Sequence, residues 1–261
     1  MMRLCETVEQ YTLKKYFSLK RQWSNIRKEH NFALVQKGYD DLRLGEQYSH
    51  NDDEQARVVV ETVRPYIKEG FKVLDAGCGG GGILKQLSQM NIKDVQLVGM
   101  DISPVNVMKS NKIAPSFVSS LEDMDIPHKD FNVVICNNTI EHLIDINKAL
   151  SNFYNILTEG GILYIQTDNS IWQILSCIRN IFVPESRRYK RFSQPIDGDF
   201  TCHQLKQLLK KNGFEIVKYE GNGSLPIAGR LFSKFFNTST NFIFKHFTTR
   251  IIIIVQKNRG K

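Results

Sequence analysis

The chain has 261 residues, 41% hydrophobic and 24% charged, which suits one large α/β domain with elaborations or two small domains. Its net charge of +8 is uneven: +1 over residues 1–70, −3 over 71–167 and +10 over 168–261, so by charge the middle third is no nucleic-acid surface. The opening MMRLCETVEQ has no apolar h-region, the longest aliphatic run (Ile251 to Val255) is far short of the ~20 residues of a membrane span, and five cysteines without a CxxC pair suit neither a disulfide framework nor a structural zinc, so a cytoplasmic protein is expected.

Residues 1–70 read as helix. QYTLKKYFSLKRQWSNIRK and DEQARVVVETVRPYIKEG space apolar residues at three and four, and Gly70 offers a stop. Phe71–Leu74 then reads as a first strand, followed by four consecutive glycines and a helix over Ile83–Met90. Val95–Met100 is a second strand, and a helix opens near Ser103-Pro104, proline being favoured in a first turn. Ser116–Val118 is a short third strand and Phe131–Cys136 a strong fourth. Ile146–Leu157 is expected to be helical, with Gly160-Gly161 ending it, before a fifth strand at Ile162–Gln166. Thr201 reads as the N-cap of a helix Cys202–Asn212, and Phe214–Tyr219 and Ile251–Val255 supply two more strands. Strands alternating with helices imply βαβ units: an α/β, doubly wound, mainly parallel sheet of seven strands behind a helical N-terminal extension.

In such a sheet the first βα turn lies at the ligand-binding edge. Here it is VLDAGCGGGGILKQL. Its glycines satisfy G-x-G-x-x-G, a dinucleotide pattern, but four glycines in a row satisfy almost any spacing. Two acidic strand ends are more informative. Asp75 precedes the glycines, where a carboxylate suits a ligand with an ammonium group or a donor-rich face and repels a pyrophosphate; the plainer reading is a charge that caps the loop. Asp101 ends the second strand, where it can accept two hydrogen bonds from ribose hydroxyls. FNVVICNNTIEHL places two asparagines and Glu141-His142 after the fourth strand.

Taken together and in this order, VLDAGCGGG, VGMDIS, DFNVVICNNTIEHL and LTEGGILYIQT resemble the class I S-adenosylmethionine-dependent methyltransferases, over about Phe71 to the C-terminus. The resemblance implies a Rossmann-like methyltransferase fold over residues 71–261, with residues 1–70 as a helical extension that covers the cofactor, S-adenosyl-L-methionine. It places Gly77 and Gly79 under the methionyl part and Asp101 at the ribose, with Asp75, Ala76, Cys78, Gly81 and Ile102 as further cofactor-binding residues. Ser120, Leu121 and Glu122 match the adenine-contacting stretch, although many relatives carry an acid where Ser120 stands. Asn137 matches the position whose backbone holds the methionyl ammonium.

For the chemistry, His142 is the candidate general base, with Glu141 beside it; the plainer reading is that both brace the segment after the fourth strand. The stretch is also similar to ubiquinone-pathway catechol O-methyltransferases, in which E-x-x-E-H can hold a divalent metal. Asn138 replaces the first glutamate here, so no obligatory metal is expected. The insertion at about 168–200 occupies the place of the acceptor lid. It runs from an apolar stripe (Ile171, Trp172, Ile174, Leu175, Ile178) to the basic cluster Arg187, Arg188, Lys190 and Arg191. That pattern suits a small-molecule acceptor bearing a phosphate, a carboxylate or a lipid, or peripheral contact with an anionic membrane. Methylation at oxygen is the leading expectation and at nitrogen the alternative. A nicotinamide-dependent oxidoreductase and a non-catalytic partner subunit remain as further alternatives; no nucleic-acid partner is expected.

Overall fold

The computed structural model describes residues 36–37, 52–180, 183, 200–223 and 246–258. Its elements are α1 (Asp52–Val63), β1 (Lys72–Ala76), α2 (Gly82–Ser88), β2 (Gln96–Asp101), α3 (Pro104–Ser110), β3 (Ser116–Val118) and β4 (Phe131–Asn137). After a 3-10 turn at Ile140–His142 come α4 (Ile146–Ile156), β5 (Leu157–Asp168), α5 (Ser170–Asn180), α6 (Cys202–Lys211), β6 (Phe214–Asn222) and β7 (Arg250–Lys257). The first expected helix of the N-terminal extension and the basic cluster Arg187–Arg191 lie outside the described residues.

The seven strands form one sheet in the order β3-β2-β1-β4-β5-β7-β6. The ladders from β3 to β5 are parallel, and β7 runs antiparallel to both β5 and β6. Successive side chains of a strand face opposite sides, and the apolar runs use both. Leu74, Val134, Cys136, Leu163 and Ile165 pack with Leu150 and Phe153 of α4 and Leu205 and Leu209 of α6. Val73, Val133, Ile135 and Tyr164 pack with Val59 and Val63 of α1 and Ile83 and Leu87 of α2. A strand buried on both faces reads as a continuous apolar run, which is why these strands are legible from sequence.

Helix starts follow local chemistry. Ser103 caps α3 ahead of Pro104, Asp145 caps α4, and Thr201 with Gln204 forms a capping box on α6. One expectation is corrected. Gly160-Gly161 does not end α4, which stops at Ile156; β5 already begins at Leu157 and carries the glycines. Phe131 pairs with Leu157 but Val133 with Ile162, so β5 bulges across this step. The bulge is stabilised from β7: Lys257 Nζ donates to the Leu157 carbonyl at 2.9 Å and Gln256 Nε2 to that of Gly160 at 2.7 Å.

Candidate functional site

The chain moves outward from β1 through β2 to β3, then returns to β4 on the other side of β1. That reversal opens a crevice at the carboxyl ends of β1 and β4. The backbone N–H groups of Gly77 and Cys78 both donate to the Met100 carbonyl, at 2.7 and 2.9 Å, hooking the glycine loop over β2. Gly77 has φ +85°, and a Cβ there would lie 2.3 Å from Thr139 Oγ1. Only glycine permits both. Thr139 in turn donates to the Asn137 carbonyl at 3.0 Å. The loop after β4 is therefore packed on the glycine loop, which brings the two expected halves of the site together.

Two carboxylates sit there in opposite states. Asp101, 9% exposed, is occupied by the protein. Its Oδ2 accepts from Gly79 N at 2.9 Å, and its Oδ1 from Ser103 N at 2.9 Å and Asn106 Nδ2 at 3.1 Å. A carboxylate offers about four lone-pair sites, so Asp101 latches the loop and has room for one further donor. Asp75 is 1% exposed, and neither of its oxygens has a hydrogen-bond partner among the described residues. Burial pushes its carboxyl up to about 8, with the nearby Asp101 adding to the push. The buried Oδ1 of Asn137 likewise lacks a partner among the described residues. Asp75 and Asn137 belong to neighbouring strands, so unsatisfied acceptors gather at one place.

The other expected residues distribute less simply. Ala76 is buried. Cys78 is buried too, its thiol directed to Ser110 Oγ and the Gly79 carbonyl, and burial pushes it up. The side-chain position of Gly81 faces Ser110 and Ile113, so this glycine seats the loop on α3. Half-buried Ile102 offers an apolar surface beside Asp101, and its carbonyl accepts from Gln36 Nε2 at 2.9 Å. Ser120 Oγ accepts from Glu122 N at 3.2 Å. Leu121 is a core residue. The buried carboxylate of Glu122 accepts from Asp145 N at the start of α4, and burial pushes it up. Asn152 Nδ2 holds the carbonyls of Leu121 and Glu122 at 2.9 and 3.0 Å. The Glu122 side chain thus braces the start of α4.

After β4, Asn138 adopts φ +50°, a left-handed conformation that asparagine tolerates. Glu141 is buried and its Oε2 accepts from Thr167 Oγ1 of β5 at 2.9 Å, which braces the 3-10 turn. His142 Nε2 lies 3.9 Å from Glu141 Oε1. Among the described residues no three His, Cys, Asp or Glu side chains gather to hold a metal ion.

Sequence reading passes over Thr139, Asn106 and Thr167. Each acts by contact across the fold, and only Asn106 leaves a local trace, three residues after the Ser103 cap.

A family model described as a methyltransferase domain matches residues 48–219. The ubiquinone biosynthesis O-methyltransferase of Mesorhizobium japonicum is 23% identical over 62% of this chain and 65% of its own length, just under two thirds. The protein of the same name from Rhizobium etli is 23% identical over 86% of this chain and 90% of its own. A solved S-adenosylmethionine-dependent methyltransferase from Clostridium acetobutylicum superposes with TM-score 0.57 at 17% identity, covering 88% of this chain and 99% of that one.

Proposed function

This chain belongs to the methyltransferase-domain family as a class I S-adenosylmethionine-dependent methyltransferase, and from that premise we propose that it binds S-adenosyl-L-methionine at the glycine loop and methylates an oxygen of a small amphiphilic acceptor. The observation that carries the first half is Asp75. A buried carboxylate with both oxygens unsatisfied among the described residues, beside an unsatisfied Asn137 Oδ1, suits a ligand that arrives with a cation. The one charged group that bears on Asp75 among the described residues is the acid Asp101, so a pyrophosphate, and with it a dinucleotide, finds no counter-charge there. The cofactor supplies a methyl group on sulfonium, already activated for displacement. Asp75 and Asn137 would hold its methionyl ammonium, Asp101 one ribose hydroxyl, and Ile102 the edge of the base. Glycine at position 77 keeps the loop after β4 close enough to serve the same pocket.

Such a transfer depends mostly on positioning, and a general base adds roughly 10²–10⁴-fold when the acceptor is a hydroxyl. His142 is the residue for that proton, with Glu141 and Thr167 fixing the turn that carries it. The relatives' names, ubiquinone biosynthesis O-methyltransferase, support an oxygen acceptor. The amphiphilic character is supported by α5, which buries Ser170, Gln173 and Ser176 and leaves Ile174 and Ile178 59% and 50% exposed. The basic cluster that follows α5 in the sequence supports an anionic group on the acceptor, or an anionic bilayer in which it resides.

The test offers the purified protein methyl-labelled cofactor together with prenylated catechols, their carboxylated forms and primary amines of similar size. Label on the oxygen of the amphiphilic phenols, falling roughly 10²–10⁴-fold in His142→Ala, is the expected result. Label on the amines alone overturns the oxygen reading.

A further inference from the structure

Among the described residues, burial and a neighbouring acid both make the ionised form of Asp75 harder to hold. β2 brings the Asp101 carboxylate. The glycine loop brings the Cys78 thiol and β4 the Cys136 thiol, both pushed up by burial, so both stay neutral across the physiological range. No hydrogen-bond donor reaches Asp75 among the described residues. Asp101, a strand away, shows the contrast: three donors reach it.

We propose that Asp75 is a proton-exchanging counter-charge, a neutral carboxylic acid in the cofactor-free protein that releases its proton to solvent as the cationic methionyl end of the cofactor docks. This rests on the reading that the chain binds S-adenosylmethionine. The exchange balances simply: the O–H bond of Asp75 breaks, the proton goes to the buffer, and the ligand ammonium becomes the partner of the new carboxylate. Cofactor affinity is therefore linked to pH. Below about pH 8, where burial has pushed the carboxyl, affinity rises up to about tenfold for each unit of pH. At higher pH the ligand's own α-ammonium, which the carboxylate on the same carbon holds above the range of a peptide N-terminus, loses its proton, and affinity falls again. The plot of affinity against pH is bell-shaped, and its rising limb belongs to Asp75.

The experiment is calorimetric titration with S-adenosylhomocysteine, which keeps the ammonium but lacks the sulfonium, in two buffers of different ionisation enthalpy at about pH 6.5 and about pH 9. The expected result is release of close to one proton at the lower pH, declining and reversing at the higher. Asp75→Asn, which cannot ionise, is expected to bind more weakly, to release no proton and to lose the rising limb while keeping the falling one. The rising limb of the wild-type protein is a second readout that needs no variant. Binding without proton release at about pH 6.5, or an unchanged release in Asp75→Asn, overturns the proton exchange alone. Absence of binding at every pH overturns the cofactor reading and the exchange with it.

Discussion

The two acids at the strand ends make opposite predictions. Asp101 holds the glycine loop through Gly79, Ser103 and Asn106. In Asp101→Asn one oxygen becomes an NH2 group facing other donors, so both fold and pocket suffer. Unfolding stability is expected to drop by about 1–3 kcal/mol, the penalty for buried donors left unpaired, and S-adenosylhomocysteine affinity to fall at least about tenfold. Denaturant unfolding and calorimetry check the two halves, and unchanged values remove the latch. Asp75 works the other way. Its folded carboxyl is raised from 3.8 to about 8, so between those values the folded state holds a proton that the unfolded state has lost. Its contribution to stability is thus fully favourable below about pH 4, declines as pH rises, and levels off above about pH 8. Without cofactor, Asp75→Asn is expected to melt increasingly above the wild-type protein as pH rises from about 5 to about 9. A constant difference in melting temperature across that range contradicts the assignment. Both acids are legible in the sequence because each terminates an apolar run just where a ligand edge falls. Thr139 and Thr167 are not, since their partners Gly77 and Glu141 are brought to them by the sheet.

At the scale of elements, strands with two buried faces and helices with capping residues were readable. The exceptions come from tertiary pairing that overrides local signals. Gly160-Gly161 looks like a helix stop, yet the ladder to β4 and the donors of Lys257 and Gln256 draw it into a bulged strand. Its boundary depends on residues about a hundred positions away in the chain, and no local pattern contains it. The Thr201 cap was readable, and Thr201→Ala is expected to lower stability by roughly 0.5–2 kcal/mol with cofactor affinity unchanged. A melt that does not move would mean that the capping box of α6 contributes nothing. α5 carries a further lesson. Its apolar stripe suggests a core helix, but Ile174 and Ile178 lie outward while Gln173 and Ser176 are buried. Replacing both isoleucines by aspartate is expected to raise KM for an amphiphilic acceptor, or to weaken binding to anionic vesicles, without changing cofactor affinity. An acceptor KM and vesicle binding that both stay put would leave the stripe without a ligand. Asn169 ties the start of this helix to the far side of the insertion and to the lead into β7. Its Nδ2 donates to the His246 and Thr248 carbonyls at 2.9 Å, and the chain forms a bridge with Phe200.

For the whole molecule, the sheet places Asp75 and Asn137, whose side-chain acceptors are unsatisfied among the described residues, on the neighbouring strands β1 and β4, with α-helical layers sealing both faces. No helix among the described residues is long and apolar enough to cross a membrane. The sheet order, the acidic strand ends and the methyltransferase-domain match over residues 48–219 converge on one ligand class, an adenosine-bearing cation. Equilibrium dialysis of the full chain against labelled S-adenosylmethionine, with competitors, is the most direct test of that claim. The account predicts a single saturable site, displaced by S-adenosylhomocysteine, indifferent to NAD, and weakened in Asp75→Asn and Asp101→Asn. Retention of NAD with no retention of S-adenosylmethionine would contradict it.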